Sequence, residues 1–183
     1  MLGRGNWLIL GLAVLAAGIG GIAEHRRQPA LSMEDGTDSA LIGHAVPALT
    51  LPDLDGKLHS LSDYRGQRLL LNFWASWCGP CLDEMPTLNQ AQKKFGEKGA
   101  IVVGIAMDEP DRVRAFLAAH PVSYPMLVGQ LASPSSSEKL GDEDQILPYS
   151  VLIDGDGRIL ATHRGSLSTS RLDRWLAPAT GQR

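Results

Sequence analysis

Cysteine is scarce in this chain: there are two among 183 residues. Two thiols cannot build the multi-bridge framework on which small secreted scaffolds depend. They also fall short of the roughly four ligands of a structural zinc site, and His44, His59, His120 and His163 stand at no ligand-like spacing to the cysteines or to one another. No metal is expected. A strong excess of charge is missing too. Seventeen Lys and Arg oppose 20 Asp and Glu, for a formal net charge of −3, and no dense basic cluster could neutralise a row of phosphates. Nucleic acid is therefore not an expected partner. Internal repeats are absent, so one globular domain is the default for a chain with 44% hydrophobic and 20% charged residues.

Long uncharged apolar runs are absent with one exception. Trp7 to Ala23, "WLILGLAVLAAGIGGIA", carries no charge and is followed at once by "EHRR". As a helix these residues would span about 26 Å, slightly short of a hydrocarbon core of about 30 Å. Residues 1–23 are read as a membrane anchor. The alternative is a signal peptide cleaved near Ala23, because Gly21 and Ala23 supply a small-x-small pattern before Glu24. Flanking charge, Arg4 against Arg26 and Arg27, taken alone leans towards a cytoplasmic C-terminus. Residues 24–42 mix Pro, Gly, Ser and charge without periodicity and read as a linker. The folded domain is expected over 43–176, with 177–183 as a tail.

Within that domain the hydrophobic pattern alternates between two periods. "ALTLPDLDGKLHSL" places two short alternating runs around Asp55-Gly56, the signal of an N-terminal β-hairpin. "RLLLNFWA" and "AIVVGIAM" are continuous apolar runs suited to strands buried on both faces. Between them, Pro80 to Phe95 sets Cys81, Met85, Leu88 and Phe95 at helical spacings, which predicts a strand–helix–strand crossover with a parallel pair. "EPDRVRAFLAAH" predicts a second helix with Val113, Phe116 and Leu117 inward, and "YPMLVG" a short strand. "YSVLIDGDGRILATHRG" predicts a hairpin turning at Gly155-Asp156-Gly157, and "STSRLDRWL" a closing helix capped by Ser or Thr. The sum is an α/β fold: a central mixed sheet with helices on both faces and an N-terminal hairpin extension.

The cysteines stand two residues apart in "NFWASWCGPCLDEMP", where the first buried strand gives way to the first helix. A cysteine attacks as its thiolate, and the unpaired N–H groups at a helix N-terminus favour that charge. Gly79 is expected to let the backbone turn, and Pro80, lacking an N–H, is tolerated in the first helical turn. Cys81 falls one turn along on the apolar side. The spacing predicts an exposed, activated Cys78 and a more buried Cys81 able to close a short disulfide, which is a dithiol switch.

These residues resemble the thioredoxin superfamily, and within it the membrane-anchored TlpA/ResA-like thiol-disulfide oxidoreductases. The resemblance is carried by "NFWASWCGPC" followed by "EMP", by "VVGIAMDEPDRVRAFLAAH" and by "LPYSVLIDGDGRIL", which occur in that order and cover nearly all of residues 43 to 176. It implies a thioredoxin-like fold on the periplasmic face of the bacterial inner membrane, which overrides the flanking-charge count. It implies an enzyme that exchanges disulfides with cysteine-containing exported proteins, in the reducing direction, as in cytochrome c maturation. A membrane electron donor would reduce the pair. No cofactor is implied beyond the Cys78–Cys81 disulfide, and a monomer is expected. The resemblance also makes Leu147-Pro148 a cis bond facing the cysteines, with the Leu147 backbone pairing an extended substrate and Pro148 covering the disulfide. Trp77, Gly79 and Pro80 complete the expected substrate-binding rim.

Two departures from the family pattern stand out. Cytosolic-type thioredoxins carry a buried acid at the position of Asn72, and an amide cannot take a proton from the second thiol. Glu84, three residues after Cys81 and on the same helical side, is the candidate replacement, against the simpler reading of a charge offsetting the dipole at an exposed first turn. The second departure is Tyr149, where many relatives follow the proline with Thr; it is expected to alter partner docking. A peroxiredoxin-type peroxidase needs a Pro- and Thr-containing loop around its cysteine, whereas Cys78 is flanked by Trp77 and Gly79. A non-catalytic redox-sensing module is the remaining alternative. "DGDG" lacks the further carboxylates of a calcium loop and reads as a turn.

Overall fold

A computed structural model of the protein describes residues 40–96 and 98–178. The expected anchor over 1–23, nearly all of the linker and the end of the tail lie outside these residues. Among the described residues, no helix is long and apolar enough to cross a membrane.

The element order is β1 (Thr50–Pro52), β2 (Leu58–Ser60), β3 (Arg68–Trp74), α1 (Gly79–Phe95), β4 (Ala100–Ala106), α2 (Pro110–Ala119), β5 (Met126–Val128), β6 (Tyr149–Ile153), β7 (Ile159–Arg164) and α3 (Thr169–Leu176). Short 3-10 helices at Leu61–Tyr64 and Glu138–Leu140 fill two connections. The five-stranded sheet has the order β5-β4-β3-β6-β7. Strand β3 pairs parallel with β4 and antiparallel with β6, so the sheet is mixed about its central strand. Strands β1 and β2 form a separate antiparallel hairpin in which Gly56 adopts φ +85° at the turn. That conformation is open to glycine and strained for residues with a Cβ.

The continuous apolar runs become β3 and β4 because both of their faces are covered. Leu70 and Trp74 belong to one buried layer, with Met85 and Leu88 of α1, Val113 of α2 and Leu172 and Leu176 of α3. Leu69, Leu71 and Phe73 point into the other, with Leu51, Leu61, Leu140, Tyr149 and Val151. Here the structure departs from the sequence reading. Among the described residues, α1, α2 and α3 all bury side chains in the first layer, and the second is closed by the hairpin and the 3-10 helices Leu61–Tyr64 and Glu138–Leu140. The reason is supply: the apolar stripes of α1, α2 and α3 meet the Leu70 face, while short segments bring Leu51, Leu61 and Leu140 to the opposite one. Leu88 is fully buried; truncating such a leucine to Ala typically costs about 2–5 kcal/mol.

Candidate active site

Strand β3 delivers the chain to the carboxyl end of the parallel strand pair, where the cysteines stand. The turn after it is tied from β4's side. Asp108, just beyond β4, accepts the Ser76 N–H at 3.0 Å on Oδ2, where the Ser76 hydroxyl also donates, and accepts the Glu109 N–H at 2.8 Å on Oδ1. Burial works to raise the Asp108 pKa, but these hydrogen bonds outweigh it and hold the carboxyl below the usual range. With Ser76 fixed, Trp77 projects outward at 65% exposure. The Cys78 N–H then donates to Ala75 O at 3.1 Å, closing the turn.

Cys78 is the N-cap of α1, and its sulfur accepts the Cys81 N–H at 3.3 Å. The two cysteines are joined in a disulfide with Cα atoms 5.3 Å apart. Cys78 retains 6% of its surface and Cys81 1%, so the order of exposure follows the sequence reading although both sulfurs are well covered. Pro80 sits in the first turn and is exposed. Gly79 corrects an expectation. It lies within the helix, is absent from the glycines of positive φ, and an added Cβ would meet nothing within 4 Å. The turn does not require glycine there; what glycine leaves is a bare edge beside the disulfide.

Glu84 is 4% exposed. The reading of an exposed charge at the helix start is thereby overturned. The helical period that puts Cys81 into the apolar layer puts Glu84 there as well, among Met85, Leu88 and Ala91. Its Oε1 accepts the Leu167 N–H at 2.8 Å, and its Oε2 lies 3.4 Å from the Asn72 amide nitrogen, which also donates to Ser150 Oγ at 3.1 Å. Burial pushes the carboxyl up from 4.5 to about 7, against the lowering effect of the Leu167 and Asn72 bonds. A buried acid that changes charge near neutrality can exchange a proton with a nearby thiol. The Tyr124 phenol, raised first by burial and then by the Glu84 charge, has no hydrogen-bond partner for its oxygen among the described residues.

The other half of the expected site comes from the segment before β6. The Leu147–Pro148 bond is cis, as is Ser133–Pro134, which the sequence reading did not anticipate. Pro148 is buried, and Leu147 packs against the cluster that contains both cysteines. Tyr149 turns the other way. It is fully buried, its hydroxyl donates to Leu140 O at 2.8 Å, and its ring lies 6.0 Å from that of Phe73. It therefore offers no docking surface, because alternation along β6 sends it into the layer away from α1.

Sequence reasoning missed Asp108, Ser150 and the Gly165–Leu167 segment. Only Asp108 carried a signal, an acid at the end of a buried apolar strand; the others reach the site through pairing with residues far along the chain.

With this geometry in place, likeness to known proteins is specific. Residues 42–162 match the AhpC/TSA family. The thiol-disulfide oxidoreductase ResA of Bacillus thuringiensis is 33% identical over 141 residues, 76% of this chain and 79% of that protein. A thiol:disulfide interchange protein of the thioredoxin family from Chlorobium tepidum superposes with a TM-score of 0.59 at 27% identity, over 75% of this chain and 95% of its own. The thioredoxin domain of a thiol-disulfide oxidoreductase from Bacteroides vulgatus does so with 0.59 at 25%, over 68% and 89%. The chain belongs to the AhpC/TSA family, and it is an enzyme of thioredoxin-like fold, a thiol-disulfide oxidoreductase homologous to ResA.

Proposed function

We propose that this oxidoreductase works as a protein-disulfide reductase on exported proteins, at the outer face of the cytoplasmic membrane. The observation that carries the reading is a buried carboxyl, Glu84, one helical turn behind the buried Cys81. A reductase needs its second thiol covered until the mixed disulfide forms, and then needs a base for it. In the cycle, the Cys78 thiolate attacks a substrate disulfide; a Cys78–substrate bond forms and the first substrate sulfur leaves as a thiolate. Glu84 as carboxylate takes the Cys81 proton, and the Cys81 thiolate attacks Cys78 Sγ. The intramolecular disulfide forms, the second substrate thiolate is released, and two electrons have passed to the substrate.

Substrate contacts are assigned to the exposed Trp77, to Gly79 and Pro80 at the bare helix edge, and to the backbone of Leu147 beside Pro148, along which an extended cysteine-bearing segment pairs. Cysteine pairs of exported proteins, such as apocytochromes, are the substrate class. A membrane electron donor regenerates the dithiol, no cofactor beyond the cysteine pair takes part, and the enzyme acts as a monomer. The uncharged run Trp7–Ala23 supports an anchor that holds the domain outside the cytoplasmic membrane. Rapid acid quenching and alkylation of living cells tests the direction. A mostly reduced Cys78–Cys81 pair is expected at steady state, and a mostly oxidised pair would overturn the reductase assignment.

A further inference from the structure

The connection from β7 to α3 sends three hydrogen bonds from three consecutive residues to three parts of the redox site. The Gly165 N–H donates to Pro148 O at 2.8 Å, the Ser166 hydroxyl to Pro80 O at 3.2 Å, and the Leu167 N–H to Glu84 Oε1 at 2.8 Å. The backbone is built for this. Gly165 adopts φ +86°, with nothing within 4 Å of an added Cβ, so conformation rather than crowding favours glycine there. At the far end Ser168 caps α3, accepting the Arg171 N–H at 3.3 Å. The segment is thus held at its two ends, and the Ser166 bond is the side-chain anchor between them.

The acceptors are not an arbitrary set. Pro80 lies between the two cysteines, so the Ser166 bond falls on a carbonyl of the ring that the disulfide closes. Glu84 is the acid proposed above to serve Cys81, and Pro148 belongs to the segment assigned to substrate. From this we infer that Ser166 is a positioning residue of the disulfide exchange, holding the Gly79–Pro80 turn in register with the Glu84 carboxyl through Leu167 and with Pro148 through Gly165. Ser166 acts through these neighbours. The inference rests on the proton role given to Glu84.

Its consequence is specific in pH. A charged carboxylate draws a stronger hydrogen bond from the Leu167 N–H than a neutral acid does. Losing the Ser166 anchor loosens Leu167, so the carboxylate is served less well and Glu84 keeps its proton to higher pH. Exchange therefore weakens where Glu84 is partly protonated and recovers where it is fully ionised. Other titratable and charged groups border this segment. The Tyr124 phenol lies within reach of the Glu84 charge, which works with burial to raise its pKa. His163 Nε2 lies 3.4 Å from Ser166 O, with Arg171 Nη1 2.6 Å from His163 Nδ1, and Arg164 pairs with Asp142 and Asp144 at 3.8 and 3.9 Å.

The test is the rate at which the reduced full-length enzyme reduces oxidised insulin, followed from about pH 6 to about pH 9 in the parent, Ser166→Ala, Ser166→Thr and Glu84→Gln. Ser166 is exposed, so its truncation leaves the core intact, and thermal unfolding verifies the fold. Ser166→Ala should be about three- to tenfold slower near pH 6, the range of one lost neutral hydrogen bond. It should match the parent near pH 9, and Ser166→Thr should restore the acid-side rate. The same acid-side loss should persist in a His163→Gln background; its disappearance there would transfer the effect to the imidazole and overturn the inference. A profile for Ser166→Ala that superimposes on the parent, a loss equal at all pH, or a failure of Thr to rescue overturns it as well. If Glu84→Gln flattens the profile while Ser166→Ala does not move it, the positioning role fails alone. If Glu84→Gln leaves the parent profile in place, the proton role of Glu84 fails and the inference falls with it.

Discussion

Replacing Glu84 by Gln isolates the proton that the buried carboxyl holds. Burial lifts this group from an ordinary 4.5 to about 7, despite the opposing bonds from the Leu167 N–H and the Asn72 amide. Between those two values the folded protein binds a proton that the unfolded chain has already released. The resulting stability is fully present below about pH 4.5 and is lost as pH rises through about 7, above which it levels off. At 1.36 kcal/mol per pH unit the interval corresponds to about 3 kcal/mol, a large share of the roughly 5–15 kcal/mol that holds a domain folded. Gln carries no such proton, and its amide fits the same surroundings. Its oxygen accepts from Leu167, while rotation of the Asn72 amide presents Oδ1 to its NH2 group. In urea unfolding of the oxidised protein at about pH 4.5, 6 and 8, the Gln variant should gain about 3 kcal/mol on the parent between the first and last condition, with unchanged m-values. The comparison with the parent cancels the titration of every other group. A difference between the two proteins that stays constant over this range refutes the reasoning, because it would mean that Glu84 titrates alike in the folded and unfolded chain.

Cys78→Ser should abolish disulfide exchange and Cys81→Ser should accumulate mixed disulfides with substrates, visible on non-reducing gels; in the reduced parent, iodoacetamide should label Cys78 first, and prior labelling of Cys81 counts against the assigned order. Asn72→Asp places a second carboxyl at the 3.4 Å contact now made by the amide. Two carboxyls at that distance share a proton to higher pH, so the acid limb of the insulin-reduction profile should move to the alkaline side. An unmoved or acid-shifted limb would mean that Glu84 is not the group being read.

The parts of this molecule that were legible in its sequence are those fixed by short-range chemistry. The runs Leu69 to Trp74 and Ala100 to Ala106 read as central strands because each is apolar without alternation, the mark of a strand covered on both faces. Asp55-Gly56 announced the first hairpin because its turn needs the left-handed conformation that Gly56 adopts. The position of Cys78 at a helix start, and its greater exposure than Cys81, followed from the strand-to-helix transition alone. Glu84 marks where such reasoning reaches its limit. The 3.6-residue period places it on the side of Cys81 whether it is a solvated charge or a buried acid. What separates the two is a backbone donor 83 residues away, brought there by the turn at Gly165. Asn72 shows the same split: its departure from the acid of cytosolic-type thioredoxins was legible, but its partner Ser150 lies opposite it only through the register of β3 on β6. Tyr149 was misread because its neighbour Pro148 is a candidate site residue, and one step along a strand reverses the face. The thiols were thus written locally, in a motif of four residues, while the burial and hydrogen bonding of Glu84 were written in the pairing of distant segments. If Glu84 has the proton role proposed above, a substitution at Ser150 or Ser166 should alter the acid limb of the pH profile with every residue of the motif intact, and an unchanged acid limb in both variants would count against that role.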